Sequence, residues 1–198
     1  ETGIWDWINK DEGYGDGLIG HPAKPVNAIN GSMTDCDPSS ECAAYCYTKN
    51  LRYAFSFSIL KGEITAWAIE QDPQRAARLT ARHYKSMLEH EHGRALRIFD
   101  KGDLNDSYVE FIKALNENGV RVHLFSRKPD LLRKIDDSNV RLLSVDRSSR
   151  DLAVKNPDLG ISYVYQDAGD ANFIELQRQR FEEYGGVILP VKYAGKKK

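Results

Sequence analysis

The chain has 198 residues, 41% apolar and 29% charged, with a formal net charge of −1. Those values fit one globular domain whose folding hides more than about two-thirds of the surface an unfolded chain exposes, so neither disulfides nor metal are needed for stability. A charge so near zero argues against a general nucleic-acid or anionic-membrane binder, and no apolar run approaches the roughly 18 residues of a membrane span. No charged-then-apolar leader follows Glu1, and the expected location is the cytoplasm.

Residues 1–25 hold five glycines, two prolines and two tryptophans without a sustained period. They predict an irregular lead-in pinned across the domain by Trp5 and Trp7, with Gly-Tyr-Gly-Asp-Gly at 13–17 as a flexible turn. Six short apolar runs follow, at 26–33, 95–99, 120–125, 140–145, 161–165 and 186–191. Most are nearly continuous in apolar residues, the pattern of parallel strands covered on both faces.

Helical patterns alternate with these runs. A helical stretch is expected to begin at 41 and run to 55. Over 72–91, Ala76, Leu79, Thr80, His83, Tyr84, Met87 and Leu88 recur at helical spacing. Tyr108, Phe111, Ile112 and Leu115 repeat the stripe, with Asp106 as the expected N-cap and Asn118-Gly119 as the stop. A further stripe covers 170–184, and shorter helices are expected after Pro129 and Arg150.

The repeated β-α order predicts a parallel sheet with right-handed crossovers over 26–193, followed by a basic, solvated tail at 194–198. Six units suit either an open doubly wound sheet or an incomplete (β/α)6 parallel barrel. In both, functional groups gather at the carboxyl ends of the strands.

The three cysteines of the chain, Cys36, Cys42 and Cys46, all fall in that position after the first run, spaced C-x5-C-x3-C. Their odd number and tight grouping speak for a reducing compartment and a shared ligand, not a disulfide framework. Cys42 and Cys46 lie four apart, so on a helix both thiols would face the same way. Structural zinc takes four protein ligands, yet His21, His83, His90, His92 and His123 show no ligand spacing to the cysteines. A [4Fe–4S] cluster held by three cysteines leaves one iron open to an external ligand. Zinc, an iron–sulfur cluster, a redox dithiol and three buried core cysteines all stay open on these residues alone. No glycine-rich phosphate loop follows a strand, which disfavours a metal-free nucleotide binder.

With Tyr45 directly before the last cysteine, this loop resembles that of the radical S-adenosylmethionine superfamily, whose usual motif is C-x3-C-x2-C after the first strand. The gaps here are longer by two and one residues. The loop is also similar to that of a phage-encoded group with the same three cysteines. Lys101-Gly102-Asp103 after the second run resembles the family's Gly-Gly-Glu motif, with Lys in place of the first Gly and Asp in place of Glu. The resemblance spans roughly 26–192.

It implies a (β/α)6 barrel of the radical S-adenosylmethionine type, with Cys36, Cys42 and Cys46 as cluster ligands. It also implies Tyr45 against the adenine of S-adenosylmethionine, and Gly102 and Asp103 at its α-amino group. Ser126, Ser144, Arg147 and Gln166, at later strand ends, would complete the pocket. Reductive cleavage of the cofactor would then give a 5′-deoxyadenosyl radical that abstracts hydrogen from a substrate. A donor such as a flavodoxin or ferredoxin would supply the electron. The wide mouth of an incomplete barrel suits a peptide or protein segment. A different class of reading is a non-catalytic three-cysteine module, in which zinc or a cluster stabilises a loop that binds a partner.

Overall fold

A computed structural model describes residues 2–8, 18–19, 27–46, 56–90, 96–99 and 101–163. The lead-in is not wholly irregular, because Thr2–Ile8 form a helix, α1. Trp5 of α1 is buried 6.1 Å from Trp67, with the Arg75 guanidinium 4.3 Å above its ring. The indole thus anchors the segment as expected. The side chain of Trp7 and the stretch 13–17 lie outside the described residues, while Ile19 bridges antiparallel to Ile29.

The first strand, β1, covers Asn27–Ile29 and is shorter than its apolar run, because the chain turns out at Asn30 into a 3-10 turn at Met33–Asp35. Helix α2 follows at Ser40–Tyr45 and stops there, with Cys46 as its C-cap at ψ 111. Cys46 therefore does not share a helical face with Cys42, as the spacing had suggested.

Helix α3, Ser56–Gln71, has no sequence expectation behind it. Ile59, Leu60, Ile64, Trp67 and Ile69 are spread around its axis, so no stripe marks it. Asp72 interrupts the chain and Pro73 opens α4, Pro73–His90, where proline's missing N–H costs nothing. The expected stripe of α4 faces inward: Ala76, Ala77, Thr80 and Ala81 are buried, with Leu79, Tyr84 and Met87 against the core.

Strand β2, Leu96–Ile98, is followed by α5, Asp106–Glu117. The N-cap of α5 is Asn105, whose Oδ1 accepts the Tyr108 amide at 3.0 Å. Asp106 is instead the first helical residue and pairs with Lys134 at 2.7 Å. Gly119 ends the turn at φ 76, where a side chain would be strained. Strand β3 (Val122–Ser126), α6 (Pro129–Arg133), β4 (Val140–Val145), α7 (Arg150–Lys155) and β5 (Gly160–Tyr163) complete the described elements. The expected strand at 186–191, the helix at 170–184 and the tail lie outside them.

All described strand pairs are parallel, in the order β1-β2-β3-β4-β5. The chain is an α/β protein with a five-stranded parallel sheet. A doubly wound sheet reverses its strand order at a switch point, and no reversal occurs among these strands. With right-handed crossovers, a sequential order sends every helix to the same face.

The register fits that arrangement. Ile29, Leu96, Ile98, Val122, Leu124, Leu143, Val145 and Ile161 share one face, and all are buried. Tyr108, Phe111, Ile112 and Leu115 of α5 join them in the core. The other face is not the apolar cover expected from the strand runs. It mixes polar and apolar groups: Arg97, His123, Phe125, Leu142 and Ser144 are half-buried there, beside buried Ala28 and Ser162. Among the described residues no helix is long and apolar enough to cross a membrane.

Candidate functional site

The carboxyl ends of β1 to β4 converge through side-chain bonds, and the cysteine loop lies across them. It begins where β1 meets β2. The Gly31 amide donates to Lys101 O at 3.0 Å, and the Tyr108 hydroxyl donates to Asn30 O at 3.2 Å. Gly102 sits at φ +94, and a Cβ there would stand 2.8 Å from the Cα of Gly31. Phe99, just after β2, has φ 69, a region that costs a non-glycine residue about 1–3 kcal/mol. The expected Lys101-Gly102-Asp103 motif therefore holds a tight, strained turn against the start of the cysteine loop.

That contact reaches the first thiol. Cys36 ends the 3-10 turn and is half-buried. Burial pushes its thiol up, the Gly102 amide opposes that, and charge on Asp103, Cys42 and Cys46 adds to the rise. Cys42 is exposed on α2; burial of its sulfur pushes its thiol up too, against the attraction of Arg127. Cys46 follows at the end of α2, half-buried. The Cys36 and Cys42 thiols thus feel neighbouring thiols and the aspartates at the strand ends.

Asp103, 4% exposed, connects β2 to β3. Its Oδ1 accepts the Ser126 hydroxyl at 2.5 Å and the Leu104 amide at 2.8 Å, while the Arg127 amide reaches Oδ2 at 3.4 Å. Burial holds its carboxyl above the usual range despite those bonds. Asp146, at the end of β4, is 3% exposed and moves the other way. Burial works to raise it, but hydrogen bonds from Ser39, Ser148 and Ser149 and the charge of Arg127 outweigh that effect. Two neighbouring aspartates pushed apart in this manner mark a site where charge is managed.

The loop is clamped at further points. Lys128 Nζ donates to Leu104 O at 2.6 Å and Asp35 O at 3.0 Å, tying β3 to the cysteine loop. Ser39 caps α2 by accepting the Cys42 amide at 3.1 Å, and its own hydroxyl donates to Asp146. In a flat sheet β1 and β4 would be roughly 14 Å apart, so the loop crosses the sheet end to make that bond.

Of the residues expected at the site, Cys36, Cys42, Cys46, Gly102, Asp103 and Ser126 meet at this end. Ser126 is buried and bonded to Asp103, and it also accepts the Lys128 amide at 3.1 Å. Ser144 lies one residue inside the end of β4, in register with Ser162. Tyr45 closes α2 and Arg147 opens a 3-10 turn, but their side chains lie outside the described residues, as does Gln166. Ser39, Arg127, Lys128 and Asp146 had no assigned role. Their signal was position alone, since Arg127 and Lys128 follow β3 and Asp146 follows β4.

Among the described residues, no three His, Cys, Asp or Glu side chains are close enough to share one metal ion. A four-iron cluster asks for something different, because each thiolate binds a separate iron and the ligands stand farther apart. Three thiols interacting across one sheet end fit that demand in number and in donor type. No family model, curated protein or solved structure matches this chain.

Proposed function

We propose that this chain is a radical S-adenosylmethionine enzyme built on an incomplete (β/α)6 barrel, with Cys36, Cys42 and Cys46 as the ligands of a [4Fe–4S] cluster. When bound, the cluster supplies the electron that cleaves S-adenosylmethionine to a 5′-deoxyadenosyl radical, which takes hydrogen from the substrate. The observation that carries the reading is the packing of Gly102 on Gly31, which with the Gly31–Lys101 backbone bond sets the Lys101-Gly102-Asp103 turn against the start of the cysteine loop.

The chain's own residues divide the work. The Gly102 amide stabilises negative charge on Cys36. The Asp103 carboxylate, with Oδ2 only weakly engaged, offers an acceptor to the cofactor's ammonium. The sheet face bearing Arg97, His123, Phe125 and Ser144 gives the substrate, a peptide or protein segment, a surface beneath the site. Electrons come from a small donor protein such as a flavodoxin or ferredoxin.

The test is anaerobic reconstitution with iron and sulfide, followed by S-adenosylmethionine and dithionite. The reading expects about four irons per chain, a reduced paramagnetic spectrum altered by the cofactor, and 5′-deoxyadenosine that disappears in Cys42→Ala. Tightly held zinc with no iron uptake would refute it and favour a metal-stabilised binding module.

A further inference from the structure

Asp146 is a crowded carboxylate. It accepts from the Ser39 hydroxyl, Arg127 Nη1 at 3.1 Å, the Ser148 amide at 3.1 Å, and the hydroxyls of Ser148 and Ser149, both at 2.8 Å. The last three bonds are local and organise the 3-10 turn that begins at Arg147. The first two are not. Arg127 belongs to the end of β3, and its backbone amide reaches Asp103. Ser39 belongs to the cysteine loop, and its oxygen accepts the Cys42 amide. A second bond runs beside this one, from the Glu41 amide to the Ser148 hydroxyl at 3.4 Å.

The result is a continuous path from Asp103 through Arg127, Asp146 and Ser39 to Cys42. Helix α2 has six residues, too few to hold itself together in water. Something outside it must fix its direction. Its first turn is bonded to the β4 tip, and the Arg127–Asp146 pair there is nearly closed to water, with side chains 14% and 5% exposed. Such a pair is costly to break, because each partner would leave the other charged and buried.

We propose that Asp146 is a positioning residue that, through Ser39, holds the cysteine helix on the β4 tip and thereby sets where the Cys42 thiol stands. This rests on the reading of the three thiols as one cluster site. Asp146 itself touches neither cluster nor cofactor. It keeps the second ligand in place.

The experiment uses the full chain in two states. In the metal-free chain, hydrogen exchange over residues 40–45 is followed by mass spectrometry for Ser39→Ala, Asp146→Asn and the double variant. Each single change is expected to speed exchange about five-fold, the size of a lost helix N-cap. The double variant is expected to exchange no faster than Ser39→Ala, since that change already removes the Ser39–Asp146 bond along with the cap on the Cys42 amide. Ser39→Thr, which keeps the hydroxyl, is expected to restore the slow rate. Ser39→Ala changes no charge and lies at the half-exposed loop, so it tests the path even where Asp146→Asn weakens the β4 tip.

In the reconstituted chain, iron release to a chelator is expected to quicken by a similar factor for Ser39→Ala at unchanged thermal stability. Unchanged exchange in the single variants, or fully additive effects, would overturn the role of Asp146. Faster exchange with iron release unmoved would also overturn it, because the helix would then be anchored without governing Cys42. Failure of the unaltered chain to take up iron would refute the cluster reading instead, while the metal-free exchange would still decide whether Asp146 holds the helix.

Discussion

Gly31 and Gly102 lie backbone against backbone: a Cβ on Gly102 would be 2.8 Å from the Cα of Gly31 and 3.0 Å from its carbonyl carbon. The contact lets the loops after β1 and β2 approach closely enough for the Gly31 amide to donate to Lys101 O at 3.0 Å. Gly102 also sits at φ +94. Gly102→Ala is therefore expected to destabilise the fold by about 2–4 kcal/mol, from backbone strain and displacement together. Urea denaturation would measure it. A change below about 0.5 kcal/mol would mean that the two loops separate without cost.

Asp103 is expected to behave in the opposite sense. Its folded carboxyl lies above the ordinary range, so the unfolded chain loses its proton first as pH rises. Its stabilising contribution is complete below the ordinary carboxyl range and is lost as pH rises from there through the raised value of the folded chain. Asp103→Asn removes a buried charge and keeps one acceptor for the Ser126 hydroxyl. Stability should stay within about 1 kcal/mol of the unaltered chain or rise. Affinity for S-adenosylmethionine should meanwhile fall by about tenfold or more, if the carboxylate receives the ammonium. A large loss of stability with affinity unchanged would make Asp103 a structural residue alone.

His123 gives the fold a pH response of its own. Burial, with Arg97 beside it, pushes its imidazole down to about 4 from the ordinary 6.5. Between those values the unfolded chain takes up a proton that the folded one refuses. Stability is thus complete above about pH 6.5 and declines as pH falls toward 4. The half-exposed ring limits the effect to roughly 1–2 kcal/mol. Chemical denaturation at several pH values should show that slope, and His123→Gln should flatten it.

Metal uptake should follow pH as well. The thiols of Cys36 and Cys42 are both held above their ordinary value, so each must give up a proton to become a ligand. Loading should strengthen as pH rises from about 7 to about 8.5, by roughly tenfold per unit for each thiol that ionises on binding. Zinc competition against a chromophoric chelator would read this without any cluster assembly. A flat profile would mean that the thiols are already ionised at neutral pH.

The sequence by itself settled the class of fold, because strand and helix periods need only local apolar spacing. The runs at 95–99, 120–125, 140–145 and 161–165 each overlap a parallel strand, and the stripe of Tyr108, Phe111, Ile112 and Leu115 is the buried face of α5. It also pointed to the strand ends, since the cysteine loop comes after β1 and Gly102-Asp103 after β2. Helix α3 escaped notice because its apolar residues form no stripe, and the N-cap of α5 was displaced by one residue because Asn105 and Asp106 are both good caps.

Only the tertiary structure decided which strand ends touch. Asp103 meets Ser126, Arg127 meets Asp146, and Asp146 reaches back to Ser39 across the width of the sheet. None of these pairs has a spacing rule, because they are joined by parallel neighbours whose separation along the chain depends on the intervening helices. The mixed second face of the sheet was hidden for a related reason. His123 and Phe125 alternate with buried Val122 and Leu124, and register alone puts them beside Arg97 and Leu142.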